Sequence, residues 1–339
     1  MGRKSDSVAS FEASPNIALV KYWGMRDVAL GLPYNSSLSL TLNRFRTQTT
    51  VRWEPELLED ELSINGEAAH GSALASITTF LDRIRSRTHD SSRAIVRSRN
   101  NFPISSGLAS SASGFAALAG AATLAAGLKL SVRELSALAR LGSGSASRSI
   151  FGGFVEWRRG VRPDGRDCYA HPVEGVRSWS TLVDLVAIVR DAPVKSARSA
   201  EAMQRTVATS PYYAERLREV PARIASMRRA IHRRDSETLF PLIMEECDSF
   251  RRACETTAPS LDYLTATSRA ILGAVHTLNA TSGRPVAAYT HDAGAHVHVF
   301  ALQNDVKLVR RSLRAVRGID RVWALRAGPG AHPIAARVR

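Results

Sequence analysis

Pro103-Ile-Ser-Ser-Gly-Leu-Ala-Ser-Ser-Ala-Ser-Gly114 leads straight into 109–128, a stretch of small apolar residues in which alanine dominates. That run is too long for an ordinary strand. It reads as a buried helix held close to its neighbours by small side chains. A Gly/Ser-rich loop that opens into a helix presents free backbone N–H groups and the positive end of the helix dipole, which together favour an anion. Ser105, Ser106, Ser110 and Ser111 add hydroxyl donors, and Gly107 permits a tight turn with close approach of a phosphate. The loop lacks the G-x-x-x-x-G-K-[ST] pattern of a P-loop. Taken alone, the same residues also read as a serine-capped structural helix.

Working outward, residues 46–53 alternate and are rich in Thr and Val, as a strand does. Leu74, Ile77, Leu81 and Ile84 mark an amphipathic helix over 72–87. Ser131-x-x-Glu134 is a capping box, so another helix starts there. Residues 151–157 and the nearly all-apolar 182–190 read as strands, the second central in its sheet. Helical spacing follows over 212–234, 236–254 and 259–279. Then come strand 286–290, a turn at His291-Asp292-Ala293-Gly294, strand 296–302, helix 304–317, strand 321–326 and a Gly328-Pro329-Gly330 loop. The pattern is α+β. Two lobes are expected, 1–185 and 186–339, with the last strand free to return to the first lobe.

The chain has 339 residues, 44% of them hydrophobic, enough for a sizeable core. Its formal charge of +15 excludes an acidic disordered chain. The charge leaves open a nucleic-acid binder, a membrane-surface protein or an enzyme for small polyanions. Arginine supplies nearly all of it, because lysine occurs only at 4, 21, 129, 195 and 307. The arginines are scattered in runs of two at most, as at Arg158-Arg159, without the blocks of a nucleic-acid arm. Aromatic platforms interleaved with basic residues are missing too, so no nucleic-acid partner is expected. No stretch approaches a membrane span, and MGRKSDSVAS has no apolar signal region, so a cytoplasmic protein is expected. Cys168, Cys247 and Cys254 have neither disulfide nor zinc spacing and read as reduced thiols.

Three further segments can carry chemistry. Leu141-Gly-Ser-Gly-Ser-Ala-Ser-Arg148 offers hydroxyls and one guanidinium suited to bidentate capture of a carboxylate or phosphate; a polar helix end would look similar. In Ala18-Leu-Val-Lys21-Tyr-Trp-Gly24 a lysine interrupts an apolar run, as a snorkelling edge-strand lysine also would. In Tyr289-Thr-His-Asp292-Ala-Gly-Ala-His296 the aspartate sits at a strand-ending turn, which is also an ordinary use of Asp. His291, His296 and His298 alternate there, but no carboxylate pattern accompanies them and no protein metal ligand is expected.

Jointly these segments resemble a known family. Ser14-Pro-Asn through Gly24, Leu32-Pro-Tyr-Asn-Ser-Ser-Leu-Ser39, Asn101-Phe-Pro through Ser113, Gly142 through Ser149, Gly152-Gly-Phe-Val-Glu-Trp157, Asp292-Ala-Gly and the terminal Gly-Pro-Gly are similar to the mevalonate diphosphate decarboxylases, a branch of the GHMP small-molecule kinases. The resemblance runs from about residue 12 to about 332, in the family's order. It implies a ribosomal-protein-S5-like N-terminal lobe, a ferredoxin-like C-terminal lobe, ATP and Mg²⁺ as cofactors, a phosphorylated mevalonate as substrate, and a homodimer. The implied reaction phosphorylates a tertiary 3-hydroxyl, then releases phosphate and CO₂ to give isopentenyl diphosphate. Asp292, Lys21 and Arg148 are implied as catalytic. Tyr22, Trp23, Gly24, Met25, Ser143, Gly144, Ser145, Ala146, Ser147, Ser199 and Ala200, with Arg148, are implied to bind substrate. Ser105, Ser106, Gly107, Leu108, Ala109, Ser110 and Ser111 are implied to cradle ATP.

The chain also departs from the family pattern. Met25 stands where a lysine is usual, helix 72–81 has no basic residue before Arg83, and the usual Asp-Ala-Gly-Pro reads Asp-Ala-Gly-Ala295. The departures fall on the phosphate end of the substrate. Mevalonate 5-phosphate is therefore the alternative substrate, unless Arg26 or Arg198 replaces the missing charge. A GHMP kinase that releases no CO₂ is a further alternative.

Overall fold

The computed structural model describes residues 8–102, 110–173, 179–193 and 199–335. In chain order the elements begin with β1 (Val8–Ala13), β2 (Asn16–Val20), β3 (Met25–Asp27), β4 (Leu32–Pro33), β5 (Ser37–Thr41), β6 (Thr47–Glu54), β7 (Glu61–Ile64) and β8 (Glu67–Ala68). Next come α1 (Gly71–Thr88), β9 (Arg93–Asn100), α2 (Ser110–Ala125), α3 (Val132–Ala139), α4 (Ala146–Ser149), β10 (Phe154–Trp157), β11 (Ala170–Pro172) and β12 (Leu182–Val189). The chain continues through α5 (Ser199–Thr209), α6 (Tyr213–Arg233), α7 (Ser236–Glu255), α8 (Ala266–Ser282), β13 (Ala287–Thr290), β14 (Val297–Leu302), α9 (Val306–Arg314), β15 (Ile319–Leu325) and β16 (His332–Ile334).

Three main sheets organise these elements, in the orders β16-β1-β6-β9-β7-β8, β11-β10-β5-β2 and β13-β14-β12-β15. Strand β6 buries its odd-numbered residues and turns Gln48 and Arg52 outward, the period-2 signature read from its sequence. The alanine-rich run forms α2, which packs its small side chains on β1 and β6. Gly120 lets that helix approach closely, because a Cβ there would lie 2.2 Å from the Phe11 ring. Helix α3 carries the capping box in both directions, Ser131 Oγ accepting from the Glu134 N–H and Glu134 accepting from the Ser131 N–H.

Strand β12 is central in its sheet, and the division expected at residue 185 falls inside it. One face of that sheet packs on α8 and α9 through Val183, Leu185, Val297 and Val299. Its other face shares a core with the N-terminal half. There Leu182, Val186, Ala288 and Phe300 meet Ile17, Leu19, Leu38 and Leu40 of β2 and β5, together with Val220, Ile224, Leu239 and Phe240 of α6 and α7. That continuous apolar cluster fixes β2 against the β13–β14 turn. The C-terminal β16 pairs antiparallel with β1, and we propose that the first lobe includes it and that the lobes meet between β11 and β12.

One helix differs from its sequence reading. The stretch expected to be helical from 259 starts only at Ala266. Pro259 follows a cis peptide bond, and the chain stays non-helical until Thr265, whose side chain caps the helix through the Ser268 N–H. Apolar spacing over 259–265 reflects burial of Leu261 and Leu264 rather than helical periodicity.

Gly120→Ala is expected to destabilise the protein. Alanine gains about 1 kcal/mol in helix propensity over glycine, whereas forcing a methyl into the rigid Phe11 ring costs about 1–3 kcal/mol. A denaturant titration showing a lower midpoint at unchanged slope is the expected result.

Candidate functional site

Strand β2 ends at Val20, and the chain leaves the sheet at Lys21. Lys21 is therefore not an edge-strand residue, and it is 3% exposed. Its Nζ donates to the Ala18 carbonyl at 2.7 Å and to Asp292 Oδ1 at 2.9 Å. Asp292 comes from the turn after β13, so the pair joins the two halves of the chain. Burial works to raise the Asp292 carboxyl, but the Lys21 ammonium and its hydrogen bond, with His298 and Arg148, outweigh it and hold the group below its ordinary 3.8.

Arg148 lies in α4, buried, with Trp157 under its guanidinium at 6.0 Å. Its Nε donates to Asn16 Oδ1 at 3.1 Å and its Nη1 to Ser37 Oγ at 2.6 Å. Nη2 has no protein acceptor among the described residues. Burial pulls the guanidinium down to about 10, against Asp292 and Tyr22, so it stays charged at neutral pH. Asn16 also donates to the Ser145 carbonyl and to Ser149 Oγ, which ties β2 to the Arg148 loop. Asn16 and Ser37 lie inside sequence segments that carry the family resemblance, yet their types alone assign them no role; only the fold shows them gripping Arg148.

Residues 143–145 lead into α4, which carries Arg148. Ser143 and Ser145 hydroxyls lie 3.2 Å apart, and Ser143 reaches Ser111 at the start of α2 at 3.5 Å. Gly144 has no room for a side chain, since a Cβ would sit 2.8 Å from both Trp157 and Tyr22. Ala146 and Ser147 are fully buried, with the Ser147 hydroxyl donating to the Gly144 carbonyl. Tyr22 packs edge-on against Trp157, and its hydroxyl is buried without a partner among the described residues. Burial pushes that phenol well above its usual value, against the pull of Arg148.

Trp23 turns away from these groups, into Phe250 and a hydrogen bond to Thr206. Gly24 has φ +98°, and a Cβ there would collide with the Tyr213 hydroxyl, so a glycine is required. Met25 is half-buried and packs on the cluster around Tyr22 and Trp23, its carbonyl accepting from Gln204. Arg26 donates to the carbonyls of Arg159 and Gly160 and forms no ion pair among the described residues. Ser199 begins α5, and Ala200 beside it is exposed. Ser105, Ser106, Gly107, Leu108, Ala109 and Arg198 lie outside the described residues.

The three turn histidines have separate employments. His291 Nδ1 donates to the Asp292 carbonyl, His296 Nδ1 accepts from the Val189 N–H, and His298 Nδ1 donates to Asp184 at 2.7 Å. Burial lowers His291 to about 4, so it is neutral at physiological pH. A cavity of about 370 Å³ opens beside Ser110 and Ser111. Leu62, Ile64, Ile77, Val96, Phe115 and Leu118 form its apolar walls, with Ser72, Ser76, Ser98 and Asn100 as polar points.

A helix start beside a cavity, and a buried lysine–carboxylate pair joining two halves of the chain, suit an enzyme for a small phosphorylated molecule. Residues 13–170 match the family model of the diphosphomevalonate decarboxylase-like N-terminal domain, and 185–325 match that of the mevalonate 5-diphosphate decarboxylase C-terminal domain. The chain is 38% identical over 331 residues to the diphosphomevalonate decarboxylase of Schizosaccharomyces pombe, covering 93% of this chain and 84% of that one. A solved structure of MDDEF in complex with MVAPP, AMPPCP and magnesium superposes with a TM-score of 0.91 at 33% identity, covering 98% of this chain and 100% of that one. The mevalonate diphosphate decarboxylase of Staphylococcus aureus gives 0.91 at 32% identity, covering 98% and 99%. The chain belongs to the diphosphomevalonate decarboxylase family.

The depressed Asp292 carboxyl carries a stability consequence of definite sign. Its contribution is present above the unfolded carboxylate range and is lost as pH falls through the folded value. Asp292→Asn, which leaves Lys21 buried without a counter-charge, is expected to melt below the wild type at pH 7. The gap should close as the pH falls below about 4, as read by thermal denaturation across pH.

Proposed function

We propose that this protein catalyses the ATP-dependent decarboxylation of mevalonate 5-diphosphate to isopentenyl diphosphate, releasing ADP, phosphate and CO₂. The observation that carries this reading is the Lys21–Asp292 pair with the buried Arg148 beside it. A plain kinase needs a group to guide its hydroxyl, but a charged, desolvated guanidinium with an unused Nη2 also suits a substrate carboxylate.

A tertiary hydroxide is a poor leaving group. ATP supplies the phosphoryl group that makes it a good one, while Mg²⁺ offsets the phosphate charge. The cavity beside Ser110 and Ser111 fits an adenine base against its apolar walls, with the α2 N-terminus toward the phosphates. Among the described residues no three carboxylate, imidazole or thiol groups converge to hold a metal. We assign Mg²⁺ to the phosphate oxygens of its nucleotide, with water completing its shell.

Asp292 receives the proton of the 3-hydroxyl, or orients that hydroxyl for attack, and Lys21 keeps it ionised until then. Arg148 holds the carboxylate so that its C–C bond lies antiperiplanar to the departing phosphate. Loss of phosphate builds positive charge at C3, and decarboxylation quenches it. Ser143, Ser145 and the unpartnered Tyr22 hydroxyl supply hydrogen bonds to the substrate. Met25 brings no charge to the phosphate end, so we assign that charge to Arg26, which no carboxylate neutralises among the described residues. Among the described residues no helix is long and apolar enough to cross a membrane. We propose a cytoplasmic homodimer, to be tested by sedimentation.

Purified protein with ATP, Mg²⁺ and mevalonate 5-diphosphate should release ADP and CO₂ in equal amounts; ADP without CO₂ would make it a kinase. Asp292→Asn should lose at least ~10²-fold in turnover with the fold retained, the scale of a removed base. Arg148→Lys should be nearly as damaging as Arg148→Ala, because an ammonium cannot grip a carboxylate in two places. The ratio of kcat/KM on the diphosphate to that on mevalonate 5-phosphate should favour the diphosphate and fall in Arg26→Ala. A tenfold preference for the monophosphate in the wild type would overturn the substrate while leaving the reaction type.

A further inference from the structure

Lys21 sits where the main chain leaves β2, and its peptide groups lack a strand partner. They are satisfied from far along the chain. The Lys21 N–H donates to Glu246 Oε1 at 2.9 Å, and the Lys21 carbonyl accepts from Asn35 Nδ2 at 2.9 Å and from Arg216 Nη2 at 3.3 Å. Glu246 on α7 and Arg216 on α6 are fully buried and bonded to each other. Arg223 closes the arrangement, donating from Nη1 to Glu246 Oε2 at 2.7 Å and from Nη2 to Glu219. Arg216 Nη1 donates to Ser249, which Tyr212 also meets at 3.0 Å.

With Glu219 on Arg223, the network on α6 and α7 holds two cations and two carboxylates and is charge-balanced. A core helix pair needing only stability would be as well served by apolar residues. The arrangement does something apolar residues cannot, since it presents one carboxylate oxygen to the N–H of Lys21. We infer that Glu246, braced by Arg216 and Arg223, is a positioning residue that fixes the Lys21 backbone and through it the Nζ contact with Asp292. It touches no substrate. The inference rests on the proposed role of the Lys21–Asp292 pair, and one of its two tests needs no substrate.

Glu246→Asp keeps the negative charge between the two arginines but withdraws the acceptor from the Lys21 N–H, whereas Glu246→Ala removes both. The first readout is amine labelling at low reagent, followed residue by residue by mass spectrometry, with exposed Lys129 and Lys307 as internal standards. In both variants Lys21 should label several-fold faster relative to those standards. The second readout is kinetic. Both variants should lose about tenfold to a hundredfold in kcat, the scale for a misplaced reacting group, with KM for ATP little changed. The acidic limb of the kcat profile should move to higher pH, because Asp292 loses the ammonium that holds it ionised.

On a Lys21→Met background, Glu246→Asp should cost nothing further in kcat, since residues acting through one another are not additive. Additive losses, an unmoved acidic limb or unchanged Lys21 labelling in the folded Asp variant would overturn the inference. If wild-type protein shows no decarboxylation at all, the functional reading fails instead, and the labelling result still decides whether Glu246 positions Lys21.

Discussion

An ammonium and a carboxylate brought from opposite ends of the chain meet at Lys21 and Asp292, and the surrounding structure is arranged to make that contact tolerable. Removing each ion from water costs several kcal/mol, and the Coulomb attraction between them repays this only with good geometry and further hydrogen bonds. Lys21 has both, with a 2.9 Å contact to Asp292 and a second donor bond to the Ala18 carbonyl. Asp292 keeps a partly open side chain, 28% exposed, while its partner is sealed beneath.

The pair requires rigid registration between two lobes, and apolar packing provides it. The cluster that joins Leu38 and Leu40 to Val186 and Phe300 runs from the second sheet through α6 and α7 to the third. Rocking one sheet against the other would open that core and forfeit its burial. Polar contacts then refine what packing sets coarsely. Asn16 links β2 to the segment that carries Arg148, and Glu246 links β2 to α7, so one strand end is referenced both to α4 and to the helices behind it.

Arginine is this chain's usual cation, but the buried arginines are not interchangeable surface charge. Arg148 and Arg216 each use two nitrogens of the planar guanidinium to reach several acceptors at once, whereas Arg140 bonds the carbonyls of Gly165 and Cys168 from Nη1 alone. A lysine has a single nitrogen and cannot present two donors in that fixed planar arrangement. At Lys21 a compact ammonium meets the Asp292 carboxylate and the Ala18 carbonyl from its one nitrogen. At Met25 the half-buried side chain extends the apolar cluster of Tyr22 and Trp23.

Local sequence determined what local physics governs. The alanine run became α2, the Ser131–Glu134 box capped α3, and the alternation over 46–53 became β6, because periodicity, capping and side-chain size act within a few residues. Asp292, Lys21, Arg148 and the serines beside Arg148 were legible as chemistry only when several segments were read together. The burial of Lys21, and the start of α8 at Ala266 rather than near Pro259, were decided by the tertiary structure. So were the tasks of Asn16, Ser37, Arg216 and Glu246. Their side chains look ordinary in sequence, a glutamate on a helix or an asparagine after a proline. A buried hydrogen bond depends on which groups packing brings together, and contacts such as Lys21–Glu246 span more than two hundred residues of chain, beyond any local pattern.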